Sequence, residues 1–477
     1  MNLQNRIKSL CDGEITAVEI VEGYIKNKAI GDDLNVFVNR YDDECLKQAN
    51  ALDQKIKSGK PVGKLAGTVV AIKDNLSYKD HPLTCASRIL ENNLAVYNAD
   101  LVQHLLDEDA LIIGHTNMDE FAMGSSNENS CYGPVKNPHN TAHVAGGSSG
   151  GSAVSVAANL ADIAFGSDTG GSIRLPAAFT GTYGMKPTYG RISRRGLVAF
   201  GSSLDQIGPF SKTVSDLALV MESVFQYDKK DSTSIHHNMS NFPDYLNKDI
   251  SGMTIGIPRK LLSDGLDNEI HQRQTDLEKF LVDAGARIID IELDYVKYNI
   301  AVYYILATAE ASANLARYDG LRYGHSTHKQ ISDLHEFYME SRSEGFGEEV
   351  KRRILLGTFV LSHGYYDAYY RKAQQVRQLI KSDFDKAFKN CDLILLPSSP
   401  QTAFKLGEFS DDPLALYLAD TYTAPGNLAG IPGLSFPVGT HSNGLPIGLQ
   451  ILANHFEENK IIRIADYIER HFNTGAN

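Results

Sequence analysis

Cysteine is scarce in this chain and badly spaced for a framework. Its five residues, Cys11, Cys45, Cys85, Cys131 and Cys391, are odd in number and contain no Cys-x-x-Cys pair. Neither a disulfide scaffold nor a zinc site is indicated, and ordinary buried or partly buried thiols are expected. Long apolar runs are missing as well. None approaches the ~18 residues that suggest a membrane span, and Met1 to Arg6 shows no signal-peptide pattern, so a cytoplasmic location without membrane contact is expected. No Pro/Ser-rich linker or low-complexity stretch divides the 477 residues, which predicts one domain over 1–477. Positive charge is in deficit: 46 Lys and Arg stand against 58 Asp and Glu, a net charge of −12 that repels a polyphosphate backbone. His115, His139 and His143 lack metal-ligand spacing, so neither a metal site nor a histidine-dependent triad is expected.

What the chain does have is concentrated between Gly146 and Pro187, GGSSGGSAVSVAANLADIAFGSDTGGSIRLPAAFTGTYGMKP. Gly-Gly-Ser triplets end at Ser148 and at Ser172. Without a Cβ, glycine lets backbone N–H groups approach a ligand and turn the same way, which suits an anion. Ala153, Val156, Ala157 and Leu160 recur at helical spacing, predicting a small-residue helix packed against a sheet. A short strand from Asp162 to Gly166 then delivers Asp168-Thr169-Gly170-Gly171-Ser172 to its carboxyl end, where α/β sheets place their chemistry. A nucleotide-phosphate loop is disfavoured, because Gly150-Gly151-Ser152 lacks the lysine it needs. Gly146-Gly147-Ser148-Ser149-Gly150 fits the nucleophile-elbow pattern, but no strand is indicated before it.

Elsewhere the signals are architectural. Thr16 to Glu19 is a capping box opening a helix through Val21, Tyr24 and Ile25; Leu46, Ala49, Leu52 and Ile56 mark a second helix closed at Gly59. Val69 to Ile72 is a continuous apolar run, the mark of a strand buried on both faces, and Lys73 sits at its end, where an ammonium is costly to bury unless paired or neutral. A helix near Asp100 to Leu106, a strand from Leu111 to Ile113 and a helix from Val214 to Phe225 follow, then a polar loop from Tyr227 to Asn247. Met253 to Ile257, Asp267 to Ala284 and Ala286 to Leu293 read as a strand-helix-strand unit with parallel pairing. The stretch from Tyr295 to Tyr370 is helical and tyrosine-rich, Asp392 to Leu396 is a buried strand, and Gly433 to Pro437 with Pro446 to Leu452 reads as a closing hairpin.

The glycine-serine segment, together with Gly67-Thr68-Val69-Val70-Ala71-Ile72-Lys73-Asp74-Asn75, resembles the amidase signature family, whose catalytic set is a serine nucleophile, a second serine with a cis peptide bond and a lysine base. The matching positions are Ser172, Ser148 and Lys73. Gly184 to Arg191 and Ser202 to Pro209 bring the resemblance closer to the branch of the family that frees ammonia from glutamine for tRNA-dependent amidation, and it extends over essentially the whole chain. The resemblance implies an α/β fold with a mixed, mostly parallel central sheet covered by helices on both faces and the site in a crevice at one edge. It implies that Ser172 attacks the side-chain amide, that Thr169, Gly170, Gly171 and Ser172 hold the oxyanion with their N–H groups, and that a desolvated, neutral Lys73 takes the proton through Ser148.

The same resemblance places the substrate α-carboxylate on Arg353, with adjacent Arg352 offering an equal fork, the α-ammonium on Asp420, and Tyr304 in the same pocket; residues 117–126 line it. No cofactor is implied in this chain. ATP and Mg²⁺ belong to a partner: a synthetase-like chain and a small adaptor complete the assembly, and the partner holds most of the mischarged tRNA. The competing readings are a stand-alone amidase acting on another small carboxamide, and an idle scaffold that happens to retain Lys73, Ser148 and Ser172.

Overall fold

A computed structural model of the chain describes residues 2–237, 241–262 and 265–472. The loop expected from Tyr227 to Asn247 therefore falls partly outside the described residues, at 238–240. Eleven strands form one sheet: β1 (Phe37–Arg40), β2 (Val69–Lys73), β3 (Leu111–Thr116), β4 (Ile163–Asp168), β5 (Tyr183–Lys186), β6 (Gln206–Ser211), β7 (Thr254–Ile257), β8 (Arg287–Asp290), β9 (Leu393–Pro397), β10 (Gly433–Thr440) and β11 (Pro446–Ala453), in the order β1-β3-β2-β4-β6-β5-β10-β11-β9-β7-β8. The sheet is mixed and flanked by helices, as expected, but parallel pairing is not in the majority. β2 pairs in parallel with β3 and β4, and β7 with β8 and β9. The remaining six contacts are antiparallel. Parallel neighbours need a crossover, which the chain supplies at the two flanks; β10 and β11 are joined by a tight turn and can only run antiparallel. β5 and β6 were not legible because Gly184, Gly208 and Pro209 interrupt their apolar pattern.

β2 shows how the sheet positions the site. Paired on both sides and buried along its whole length, it sends Val69 and Ala71 into one core and Val70 and Ile72 into the other. The first core is covered by the helices Ala17–Ile25, Asp42–Lys57 and Gly150–Ala157, the second by Asp100–Asp107 and Val214–Val224. The Thr16–Glu19 capping box is formed at the first of these helices. By parity Lys73 emerges on the side of Gly150–Ala157 and Asp74 on the other. Asp74 is bound there by Thr84 and the N–H of Ala86 at 3.1 Å, away from the serines. The carboxyl ends of β2 and β4 lie well inside the sheet, so the site sits over interior strands and not at an edge. Cys45, Cys85 and Cys391 are buried as expected, whereas Cys11 and Cys131 are exposed. Among the described residues, no helix is long and apolar enough to cross a membrane.

Candidate active site

Lys73 ends β2 with no exposed surface, and its ammonium reaches only neutral groups: Ser148 Oγ at 2.7 Å, Ser149 Oγ at 2.8 Å, and Ser167 Oγ at 3.0 Å with that residue's carbonyl at 3.4 Å. Burial pushes its pKa down to about 7, against the more distant charges of Asp119, Asp168 and Asp205. Ser148 follows a cis peptide bond from Gly147. Its loop is held from the far side, where Asp119 donates its backbone N–H to the Ser148 carbonyl at 3.2 Å and accepts from Asn127 and Asn129. Gly147 is required by this approach, since a Cβ there would lie 2.0 Å from a carboxylate oxygen of Asp119.

The second serine loop leaves the end of β4. Asp168 clasps it: one carboxylate oxygen accepts from Gly171 N–H at 2.9 Å and from Asn427 at 2.9 Å, the other from the N–H groups of Ile173 and Arg174 at the start of the helix Arg174–Thr180. The Arg174 guanidinium closes the clasp at 3.1 Å and is bound in turn by Gln450 and Asn427. Burial opposes charge on Asp168, but Arg174 holds its pKa below the ordinary carboxylate value. The clasp corrects one expectation. Gly171 turns its N–H back to Asp168, as anions are received at a helix N-terminus, so it is not free for an oxyanion. The N–H groups of Thr169, Gly170 and Ser172 have no acceptor among the described residues. The Ser172 hydroxyl makes no hydrogen bond among them either, and Ser172 is the one residue of the three loop serines with accessible surface, 7% against 0% for Ser148 and Ser149. The link between the Ser148 and Ser172 hydroxyls is thus not made in this structure.

Across the pocket, Arg353 and Asp420 are both buried, whereas Arg352 is half exposed; of the two arginines it is Arg353 that points inward. Its guanidinium lies 5.2 Å from the Tyr304 ring centre and 5.5 Å from that of Tyr417. Asp420 accepts from Ser125 at 2.9 Å and from the Tyr304 hydroxyl at 3.3 Å. Burial raises its pKa to about 7, against those hydrogen bonds and the charge of Arg353. The two ends of the site meet through Thr423, which sits one turn beyond Asp420 and donates to the Gly170 carbonyl at 2.7 Å. Tyr303 packs so closely on Gly170 that a Cβ would fall 2.4 Å from its ring. A surface cavity lined by Ser126, Glu128, Asn129, Glu349, Arg352 and Tyr417 opens beside the cluster. Among the described residues no group of three or more His, Cys, Asp and Glu side chains could hold a metal ion.

The structure thus brings Lys73, Ser148, Ser172, Thr169 and Gly170 to one place and joins the cluster of Arg353, Asp420 and Tyr304 to it through Thr423 and Tyr303. Sequence reasoning missed Ser149, Ser167, Ser125, the Asp168–Arg174 clasp and Tyr417. Ser149, Ser167 and Ser125 lay inside stretches already singled out; nothing local marks Tyr417.

Comparison with known proteins agrees with this architecture. The chain belongs to the amidase family, whose model, described as Amidase, matches residues 19–462. It is 51% identical to the A subunit of glutamyl-tRNA(Gln) amidotransferase from Thermoanaerobacter pseudethanolicus over 458 residues, 96% of this chain and 93% of that protein. To the protein of the same name from Chlorobium phaeobacteroides it is 50% identical over 471 residues, 98% of each. The crystal structure of the corresponding glutamyl-tRNA(Gln) amidotransferase chain from Thermotoga maritima superposes with a TM-score of 0.75 at 42% identity, covering 86% of this chain and 85% of that one. Peptide amidase from Stenotrophomonas maltophilia superposes with a TM-score of 0.82 at 27% identity, over 99% and 97%.

Proposed function

We propose that this chain, acting as one amidase domain over residues 1–477, is the glutamine-hydrolysing subunit of a tRNA-dependent amidotransferase. The observation that carries the reading is the pairing of a lysine–serine relay with a buried Arg353 and Asp420 set to receive the carboxylate and ammonium of an α-amino acid. Ser172 Oγ attacks the side-chain amide carbon of glutamine, and its proton passes to Ser148 while the Ser148 proton passes to neutral Lys73. The N–H groups of Thr169, Gly170 and Ser172 receive the oxyanion. The C–N bond breaks as Lys73 returns the proton through Ser148 to the leaving nitrogen. Ammonia departs, and water attacks the glutamyl ester along the same proton path to release glutamate. The mechanism requires the Ser148–Ser172 hydrogen bond to close in the substrate complex, as catalytic contacts commonly do.

The ammonia would amidate Glu or Asp mischarged on tRNA in a synthetase-like partner, with a small adaptor completing a cytoplasmic heterotrimer. ATP and Mg²⁺ are assigned to that partner, since this sequence has no glycine-rich loop with the lysine that cradles nucleotide phosphates. The names of the relatives support the assembly. So does an exposed apolar stripe, Leu355, Leu356 and Phe359, on the outer side of the helix that carries Arg353. Co-expression with candidate partner chains, followed by size-exclusion chromatography and glutaminase assay, tests the reading. A stable complex with an interface above roughly 2,000 Å² and activity raised by partner, ATP and mischarged tRNA is expected. A chain that elutes alone and hydrolyses glutamine at full rate, or prefers aliphatic and aryl amides, would make it a stand-alone amidase.

A further inference from the structure

Four residues before Arg353 on the helix Glu348–Leu361, and so on the same face, stands Glu349, 9% exposed. Every contact of its carboxylate serves the arginine end of the pocket. Oε1 accepts from Nε of Arg353 at 2.8 Å and from the Tyr417 hydroxyl at 2.9 Å; Oε2 accepts from Arg352. Burial works against the charge, yet Arg353 and these hydrogen bonds keep the carboxyl below its ordinary value. Phe200, Tyr304 and Tyr417 surround the guanidinium at 5.6, 5.2 and 5.5 Å from their ring centres, and Tyr417 stacks on Tyr304 at 3.9 Å. With Nε engaged by Glu349 and the rings packed around it, both Nη groups of Arg353 make no hydrogen bond among the described residues. A guanidinium offers a carboxylate a two-donor edge, and here the Nη edge is the one left.

Charge tells the same story. The Arg353 fork matches a carboxylate and ionised Asp420 matches an ammonium, so a zwitterion can satisfy both ends at once. An uncharged amide would leave the Arg353 fork and Asp420 unmatched, which is costly in a buried site.

We propose that Glu349, braced by Tyr417, is a positioning residue that sets the Arg353 fork and thereby makes the pocket select an amide carrying the charged α-amino acid end. The inference rests on the reading of Arg353 and Asp420 as ligand groups. The test is steady-state glutamine hydrolysis by the assembled enzyme carrying Glu349→Gln, Tyr417→Phe or Arg353→Ala, beside the rate at which phenylmethanesulfonyl fluoride, which has no α-carboxylate or ammonium, modifies Ser172. Glu349→Gln keeps size and one acceptor but removes charge. It should raise the glutamine KM about tenfold or more, change kcat little and leave the sulfonylation rate unaltered. Tyr417→Phe should act in the same direction by about two- to fivefold, and, being nearly isosteric, it stands in should the glutamate variant fail to fold. If Arg353→Ala weakens glutamine use while Glu349→Gln and Tyr417→Phe leave KM unchanged, the positioning role is overturned and the pocket reading survives. If Arg353→Ala itself leaves KM unchanged, the pocket reading fails first. Equal loss toward glutamine and the sulfonyl fluoride would make Glu349 a support of the fold and overturn the inference.

Discussion

Lys73 and Arg353 are both cations removed from water within one site, and the chain treats them in opposite ways. Lys73 is given hydroxyls and a carbonyl, with no carboxylate in hydrogen-bonding range, so burial prevails and its pKa falls to about 7. Arg353 also suffers burial, but Glu349 in direct contact and the electron-rich faces of Tyr304 and Tyr417 hold its charge more firmly than in water. A buried cation among neutral acceptors becomes a proton carrier; one beside a carboxylate becomes a fixed charge. The two behaviours are what a relay and a recognition clamp require.

The comparison can be broken from either side. The largest effect is expected at the relay: Ser172→Ala should abolish acyl-enzyme formation, and Lys73→Ala should be nearly as severe, each costing several powers of ten in kcat. Single-turnover trapping of the glutamyl-enzyme reads this directly, and a Ser172→Ala protein with the unaltered rate would end the serine mechanism. Lys73→Arg sharpens the point, because a guanidinium cannot give up its proton near neutrality; it should be as inactive as Lys73→Ala although it keeps the charge.

At the recognition end the losses should be smaller and selective. Arg353→Ala and Asp420→Ala should each weaken kcat/KM for glutamine by about 2–4 kcal/mol, the scale for unpairing a buried charge, while a small uncharged probe still labels Ser172. Equal loss with both ligands would mean that these residues support the fold.

The pH profile joins the two ends. In the proposed mechanism Lys73 acts when neutral and Asp420 binds an ammonium when ionised; both pKa values are brought to about 7 by burial, so each group would gain its working form as pH rises. Below that point kcat/KM for glutamine should fall with a slope approaching two protons, whereas labelling by the uncharged probe should follow one. A profile that begins to rise only above the ~10.4 of a free lysine would argue against Lys73. Smallest of all should be Ser149→Ala, which removes one of the neutral acceptors of the ammonium: the apparent pKa should drop by a fraction of a unit, with kcat reduced about tenfold or less.

Much of this was legible beforehand, for physical reasons that differ by element. Val69 to Ile72 read as a central strand because burial on both faces removes alternation, and the strand is there, ending on Lys73. The Thr16 cap, the Asp267-capped helix Asn268–Asp283 and the β10–β11 hairpin were each written within a few neighbouring residues. β1 was missed because it is four half-buried residues at the sheet margin, and β5 and β6 because their glycines and proline hide the pattern until neighbours pair with them. The choice between Arg352 and Arg353 could not be made from two adjacent letters: it depends on which side of the helix turns toward Tyr304 and Tyr417.

By itself, then, the sequence determined the local pieces: the glycine turns that present Ser148 and Ser172, the strand that carries Lys73 inward, and the helices around them, all set by propensities and periodicities acting over a few residues. Only the tertiary structure decided what those pieces meet. Lys73 is bound by serines from 75 to 94 positions away, Ser125 reaches Asp420 across 295, and Arg174 is held by Gln450 across 276. Whether the buried lysine titrates follows from these distant partners, and although Glu349 lies only four residues from Arg353, the burial and the rings around that pair are also set by the tertiary structure, because in a low-dielectric interior the nearest polar groups outweigh local propensity.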